Sequence, residues 1–311
     1  MKLVMQYILE NPIFIALFSL IFLAKLFVTV RKHSFSPETY QNLKDRIHSW
    51  FYIVLSLFIA LSQRNVFFIY FGFVMFLGLK EYFSLIELRK SDRYLIFFLY
   101  LTIPFEMYLI DIQWYDLFII FVPVYVFFLV AIVLTLQQKV EGILKTSATI
   151  FWGVMICVYG LGHISYLYNF SIPQVDAVGR ELILYVLLLT EGNDIFQYIW
   201  GKSLGKRKII PLVSPNKTWA GFLGGVFSTI FLAIMLGIHF FDFPIHYLFL
   251  FGLEISIFGF LGDISISAVK RDLGIKDTSH LIPGHGGILD RLDSLIFVSL
   301  LFFHTIYYLY Y

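Results

Sequence analysis

Charge is what this sequence has least of. Only 14% of its 311 residues are Asp, Glu, Lys or Arg, about half the share of a soluble domain, so a soluble globular fold is excluded. Cysteine is almost missing as well. Cys157 stands alone inside an apolar run, which rules out an intrachain disulfide and a cysteine-based zinc site and leaves it a small core residue. A net charge of +2 offers no footprint for nucleic acid. Neither GxxxxGKS nor GxGxxG occurs, so the common nucleotide loops are absent. The first apolar stretch lacks a basic leader and a small-residue cleavage site, and with Lys25 inside it the stretch reads as a retained helix. No internal period of 20 to 50 residues and no low-complexity tract is visible.

Present instead are hydrophobic residues, 59% of the chain, in runs near 12–30, 49–63, 65–79, 94–110, 115–136, 148–167, 181–200, 218–239, 247–269 and 294–311. Runs of this kind approach the length that crosses a ~30 Å hydrocarbon core. They predict an all-α polytopic membrane protein, since a β-barrel would alternate polar and apolar residues in shorter segments. The stretch 49–79 is interrupted only by Gln63, Arg64 and Asn65. As a single helix it would be about 46 Å long, too long without strong tilt. Ten spans place loops 31–48, 80–93, 137–147, 201–217 and 270–293 on one side, where they hold 19 of the 23 Lys and Arg residues. That separation predicts a cytoplasmic face for those loops and external termini; nine spans is the alternative count. Loops 31–48 and 80–93 have no glycine and read as solvated connectors. The last two basic loops are rich in Gly, Pro, Ser and Lys. The chain therefore divides into an N-terminal transmembrane region, 1–140, and a C-terminal region, 141–311, which carries the polar motif loops and faces the cytoplasm with a polar cavity.

The C-terminal polar residues form patterns. Asp263, Ser267 and Lys270 are spaced i, i+4, i+7 and share one helix face. Asp263 lies about 10 Å inside the boundary marked by Lys270 and Arg271. A carboxylate at such depth costs roughly 2.5–3.5 kcal/mol unless it meets a partner or a wet cavity. The alternative is a structural pair with Lys270 or a neighbouring helix. Asp290 and Asp293 open the last helix at i, i+3, where acids also serve as caps. Carboxylates without a Cys/His set suit Mg²⁺ or another hard cation. Lys217, Lys270, Arg271, Lys276 and Arg291, with the glycine turn at Gly286 and Gly287, suggest a polyphosphate bound through a metal. In "SPNKTWAG", Ser214, Lys217 and Thr218 can donate to phosphate, or the segment can simply cap the next helix. Glu191 and Asp194, i, i+3 in an apolar run, suggest function or a helix–helix contact through Asn193. His285 fits phosphate binding or turn structure, and His280 an ordinary loop position.

The run "SAVKRDLGIKDTSHLIPGHGGILDRLD", residues 267–293, resembles the signature of the phosphatidate cytidylyltransferase family, the CDP-diacylglycerol synthases. Ser267, Lys270, Arg271, Lys276, Asp277, Pro283, His285, Gly286, Gly287, Asp290, Arg291 and Asp293 stand at that family's spacing. "SPNKTWAG" and the Gly262-Asp263 pair resemble two further hallmarks. The likeness covers about residues 180–311; the first 140 match as a hydrophobic leader. Ala220 and Ile266 stand where the family often has an acid or amide, and "NDIFQY" replaces a "DTGAY"-like segment. The resemblance implies that CTP and phosphatidate give CDP-diacylglycerol and pyrophosphate with Mg²⁺, K⁺ being a second cation in this family. It implies catalytic roles for Asp263, Asp290, Lys270 and Arg271. Asp263 and Asp290 would hold the metal, with Asp194 and Asp293 as further candidate ligands. Ser214, Lys217, Thr218, Ser267, Lys276, Asp277, His285, Gly286, Gly287 and Arg291 would handle phosphates. The partners are CTP and a membrane lipid, with a homodimer left open and a bacterial plasma membrane as the location. A CTP-using lipid-alcohol kinase, a cytidylyltransferase for another phospholipid and an ion-coupled transporter are the competing readings.

Overall fold

Ten long helices follow one another in the computed structural model, which describes residues 12–87, 89, 92–138, 140–175 and 177–311. They are α1 Pro12–Val30, α2 Pro37–Ser62, α3 Arg64–Leu85, α4 Arg93–Asp111, α5 Tyr115–Leu136, α6 Ile143–Leu167, α7 Gly179–Leu204, α8 Trp219–Phe240, α9 Ile245–Asp272 and α10 Leu289–Tyr310. Nine are long and apolar enough to cross a membrane. The exception among the described residues is α2, whose first three turns carry Glu38, Lys44, Asp45 and Arg46. A two-residue ribbon, β1 Ser171–Ile172 against β2 Ala177–Val178, closes the link from α6 to α7.

Local chemistry sets the breaks. Gln63 alone is extended, with φ −144° and ψ 135°, and ends α2 while starting α3. The ambiguous stretch 49–79 is therefore two helices, as the distribution of basic loops requires. Ser36 caps α2 by accepting from the Thr39 N–H at 3.2 Å, ahead of Pro37 in the first turn. Pro104, lacking an N–H, lies just beyond the interruption of α4 at Leu101. Pro123 sits in a wide turn of α5 spanning Phe121–Val126.

The loops sort onto two faces. On one, Arg89 donates to the Glu141 carbonyl, Arg271 to the Val213 carbonyl, and Arg46 to the Gly284 carbonyl. On the other, Arg64 pairs with Asp111 at 2.9 Å, Asn169 donates to the Ile110 carbonyl, and the Asp242 N–H donates to the Val175 carbonyl. Each contact joins loops or helix ends that the ten-span order assigns to the same side. Lys2, Lys90 and Lys139, counted in the charge argument, lie outside the described residues.

Two expectations need correction. The stretches 31–48 and 80–93 are not simply solvated connectors. α2 already begins at Pro37 and α3 continues to Leu85, burying Glu81. Charge ended the apolar runs in the sequence, but a helix continues through charged residues whenever one face finds partners.

The C-terminal helices α7 to α10 build the site. α6, the most enclosed span, packs behind them. Asn193 in α7 ties three helices together: it accepts from the Thr229 hydroxyl of α8 at 3.2 Å and donates to the Ser256 carbonyl of α9 at 3.3 Å. Asn193 is thus the helix–helix contact, which leaves Asp194 free to face the next cavity. At Gly262 a Cβ would sit 2.6 Å from the Asp293 carbonyl oxygen. This glycine lets α9 and α10 touch at the level of Asp263 and Asp293.

Candidate active site

One face of α7 presents Asp194, Gln197, Tyr198, Gly201 and Lys202, spaced i, i+3, i+4, i+7, i+8. With Lys208, Ser214, Asn216, Lys217 and Thr218 from the following loop they line a cavity of about 390 Å³, a volume in the range of small-molecule sites. Three lysines with hydroxyl and amide donors define a pocket for an anion. Thr218 also caps α8, its hydroxyl accepting from the Gly221 N–H at 3.1 Å. The "SPNKT" segment therefore both starts a helix and lines the cavity. Gln197, Lys202 and Lys208 escaped the sequence reading. The i+8 relation of Lys202 to Asp194 on an uninterrupted helix was the available signal.

At the floor of this cavity Lys217 reaches across to α9. Its Nζ lies 2.6 Å from Asp263 Oδ2, 3.0 Å from Gln197 Oε1 and 3.9 Å from Asp194 Oδ1. Burial draws the Lys217 ammonium down, but Asp263 and Asp194, helped by Asp293, outweigh it and hold the group above the ordinary lysine range. Asp263 accepts on its other oxygen from the Ser267 hydroxyl at 3.3 Å, so the predicted polar stripe is real. Asp194 Oδ2 accepts from the Ser294 hydroxyl of α10 at 3.0 Å, while its Oδ1 is buried and without a hydrogen bond. Two carboxylates thus flank one ammonium, with Asp293 adding its charge from further off. Ionised together, Asp194 and Asp263 leave one negative charge uncompensated by Lys217.

Asp290 belongs to a second cluster. Its Oδ1 accepts from Lys270 Nζ at 2.8 Å, and its Oδ2 from the Thr278 N–H, the Thr278 hydroxyl and the Gly287 N–H, all at 2.8–2.9 Å. Beside it lies Glu81, which the sequence reading missed. One Glu81 oxygen shares the single Thr278 hydroxyl proton with Asp290 and accepts from the Leu289 N–H, the other accepts from Ser279 and from the Ile288 N–H at 2.9 Å. An acid near a helix terminus gave no sign of facing inward, since only the topology brings residue 278 to α3.

The glycine turn follows from these two carboxylates. Gly286 has φ +82°, and a Cβ there would meet the Asp290 carboxylate at 2.7 Å; one at Gly287 would collide with Glu81 and Thr278. The Gly287 N–H, in the turn expected to approach phosphate, is taken by Asp290, and the neighbouring Ile288 and Leu289 N–H groups are taken by Glu81. His285 is buried, edge-on to Trp50, with Nδ1 3.3 Å from the Pro283 carbonyl. Burial first, then Arg291 and Arg46, push its imidazole below the usual range, so the ring is neutral. Arg291 Nε donates to the His285 carbonyl and Arg271 to the Val213 and Ile275 carbonyls, so both guanidiniums staple loops. Lys276 and Asp277 lie exposed.

Among the described residues no three acids, histidines or cysteines close into a complete metal cage. The donor set nevertheless fits a hard cation of the Mg²⁺ type, which binds through one or two carboxylates together with substrate phosphates and water. Asp194 Oδ1, which accepts no hydrogen bond and shares Lys217 with Asp263, is where this chain offers oxygen ligands. Asp290, engaged by four donors, offers less.

The fold and the site define a polytopic helical protein that gathers acids and lysines just inside one loop-bearing face. Comparison with known proteins gives that class its family. Residues 44–309 match the cytidylyltransferase family, and the chain belongs to it. It is 40% identical over 264 residues to a protein named "Uncharacterized protein YnbB" of Escherichia coli (strain K12), covering 85% of this chain and 87% of that one. It is 37% identical over 158 residues to a "Phosphatidate cytidylyltransferase" of Staphylococcus aureus (strain COL), and 44% identical over 132 residues to one of Bacillus subtilis (strain 168). These two matches cover 50% and 42% of this chain, and 60% and 49% of the relatives.

Proposed function

We propose that this cytidylyltransferase-family enzyme converts CTP and phosphatidate to CDP-diacylglycerol and pyrophosphate. A phosphate oxygen of the lipid attacks the α-phosphorus of CTP; the new P–O bond forms as the bond to the β-phosphate oxygen breaks, and pyrophosphate departs. The lipid phosphate is already anionic, so no protein nucleophile is required. What the reaction needs is alignment and charge neutralisation. The observation that carries the reading is the cavity beneath Lys202 and Lys208, with Lys217 bridging Asp263 and Asp194 at its floor.

In this reading Lys202, Lys208 and Lys217, with Ser214 and Thr218, take the triphosphate. Asp194, Asp263 and Asp293 would hold Mg²⁺; Asp290 and a K⁺ ion, which the family resemblance adds to the centre, are set apart from it here by the donors that already occupy Asp290. When bound, the cation supplies charge neutralisation for phosphoryl oxygens. Lys270 and Asp290 hold the 278–290 loop against the site, together with Glu81. Lys276 and Asp277 stand exposed on that loop, where a headgroup or nucleotide can meet them. Placement at the basic-loop face fits CTP arriving from the cytoplasm of a bacterium and a lipid phosphate held at headgroup depth.

The test is product analysis with detergent-purified protein, labelled CTP and a panel of lipid phosphates. Pyrophosphate and CDP-diacylglycerol are expected, only with phosphatidate and only before EDTA. Release of CDP in place of pyrophosphate, or turnover confined to another lipid phosphate, would overturn the assignment.

A further inference from the structure

A second cavity, of about 850 Å³, opens between α1 and α2. Its walls are apolar and aromatic, with Phe18 and Phe22 from α1 facing Phe51 and Tyr52 from α2. Two nitrogen-bearing side chains, Lys25 and His48, interrupt those walls. Lys25 lies five residues before the end of α1, about 7–8 Å along the helix, and His48 immediately precedes the apolar part of α2. Among the described residues neither pairs with an acidic side chain.

An unpaired ammonium inside an apolar run needs an anion or an escape to the surface. Here the Lys25 side chain lines a groove already bounded by aromatic surface. Basic pockets between transmembrane helices select lipid headgroups of negative charge. We propose that the groove between α1 and α2 binds one anionic phospholipid, its phosphate between Lys25 and His48 and an acyl chain along Phe18, Phe22 and Phe51.

The site is separate from the carboxylate–lysine cavity but mechanically close to it. Residues 47, 48, 51 and 52 of α2 face the groove, whereas 46, 49 and 50 face the glycine turn. On that side Arg46 donates to the Gly284 carbonyl at 2.9 Å, Ser49 to the Pro283 carbonyl at 2.8 Å, and Trp50 meets the His285 ring. A lipid seated against α2 therefore braces the helix that holds residues 283–285.

Native mass spectrometry of the full chain tests the site without any turnover. The probes are phosphatidylglycerol, phosphatidylcholine and phosphatidate of matched chains. Wild type should retain phosphatidylglycerol about fivefold better than phosphatidylcholine, the size of one favourable lysine–headgroup interaction. The Lys25→Gln/His48→Gln double variant should fall to the phosphatidylcholine level while remaining monodisperse, and Lys25→Arg should keep wild-type retention. Phosphatidate should still bind the double variant at the other cavity, which separates the two sites. Equal retention of phosphatidylglycerol and phosphatidylcholine by wild type, or undiminished phosphatidylglycerol on the double variant, would overturn the proposal.

Discussion

Lys217 Nζ sits 2.6 Å from Asp263 Oδ2, a direct ion pair between the loop before α8 and the middle of the polar stripe on α9. The same ammonium stands 3.9 Å from Asp194 Oδ1 on α7. A single positive charge therefore fixes the spacing of acids from two helices, in the place where the proposed cation and triphosphate would bind.

Removing that ammonium should reveal the acids' appetite for cations. Lys217→Met leaves two half-buried carboxylates without their ammonium, a smaller loss than for a fully buried pair because solvent reaches both acids. Its melting temperature should fall below wild type in EDTA and recover more than wild type does on adding Mg²⁺. Thermal melts with and without Mg²⁺ check this; equal Mg²⁺ responses in the two proteins would remove Lys217 as the group that shares the cation's space.

Asp263→Asn and Asp290→Asn should differ in kind. Asp263→Asn is expected to lower turnover by about 100-fold or more, the scale of losing one electrostatic element, with a smaller fall in melting than Lys217→Met, because Lys217 keeps Asp194 and Gln197 as partners. Asp290→Asn strips the partner of Lys270 and disturbs three further hydrogen bonds to Thr278 and Gly287. It should lower activity and stability together. Measuring both quantities on both variants separates a group at the chemistry from one that holds the loop.

Glu81→Gln should act at a distance in sequence. It replaces an acceptor of the Ile288 N–H and the Ser279 hydroxyl with an amide that supplies only one acceptor. Each buried donor left unsatisfied costs about 1–3 kcal/mol. Amide hydrogen exchange over residues 278–289 should accelerate, and turnover should drop although the substituted residue lies outside the C-terminal motifs. Unchanged exchange in that segment would count against the anchoring role.

Acidification should weaken the glycine turn through His285. Its folded imidazole titrates below the unfolded value near 6.5. Above that value both states are neutral and the full contribution is present. As pH falls below about 6.5 the unfolded chain takes up a proton that the folded ring resists, so stability declines until the lower folded value is reached. Melting temperature measured from pH 7.5 to 5 should fall for wild type, and His285→Gln should flatten this part of the profile.

The ten helices were legible because hydropathy marks each span and the basic loops resolve the one doubtful break, at Gln63. The stripe of Asp263, Ser267 and Lys270 was equally legible, since helix geometry alone puts those residues on one face. Pairings were another matter. Lys270 could have neutralised Asp263 from three residues beyond Ser267, yet it reaches Asp290, and Asp263 takes Lys217 from another loop. Spacing along one helix gives the candidates and packing between helices chooses among them. Glu81 and Arg46 were illegible for a further reason. Both lie where apolar runs give way to charge, and composition cannot tell a helix end facing water from one facing another loop.

Glu81 also imposes an order on biosynthesis. Its partner Thr278 is 197 residues further along the chain, so at 5–20 residues per second roughly 10 to 40 s of translation separate the two. During that interval the nascent N-terminal helices must keep a carboxylate solvated at the bilayer edge, and only the segment carrying residues 278–289, made much later, brings the hydroxyl and amides that seal it. Closure of this loop face is thereby timed to the synthesis of α9 and α10.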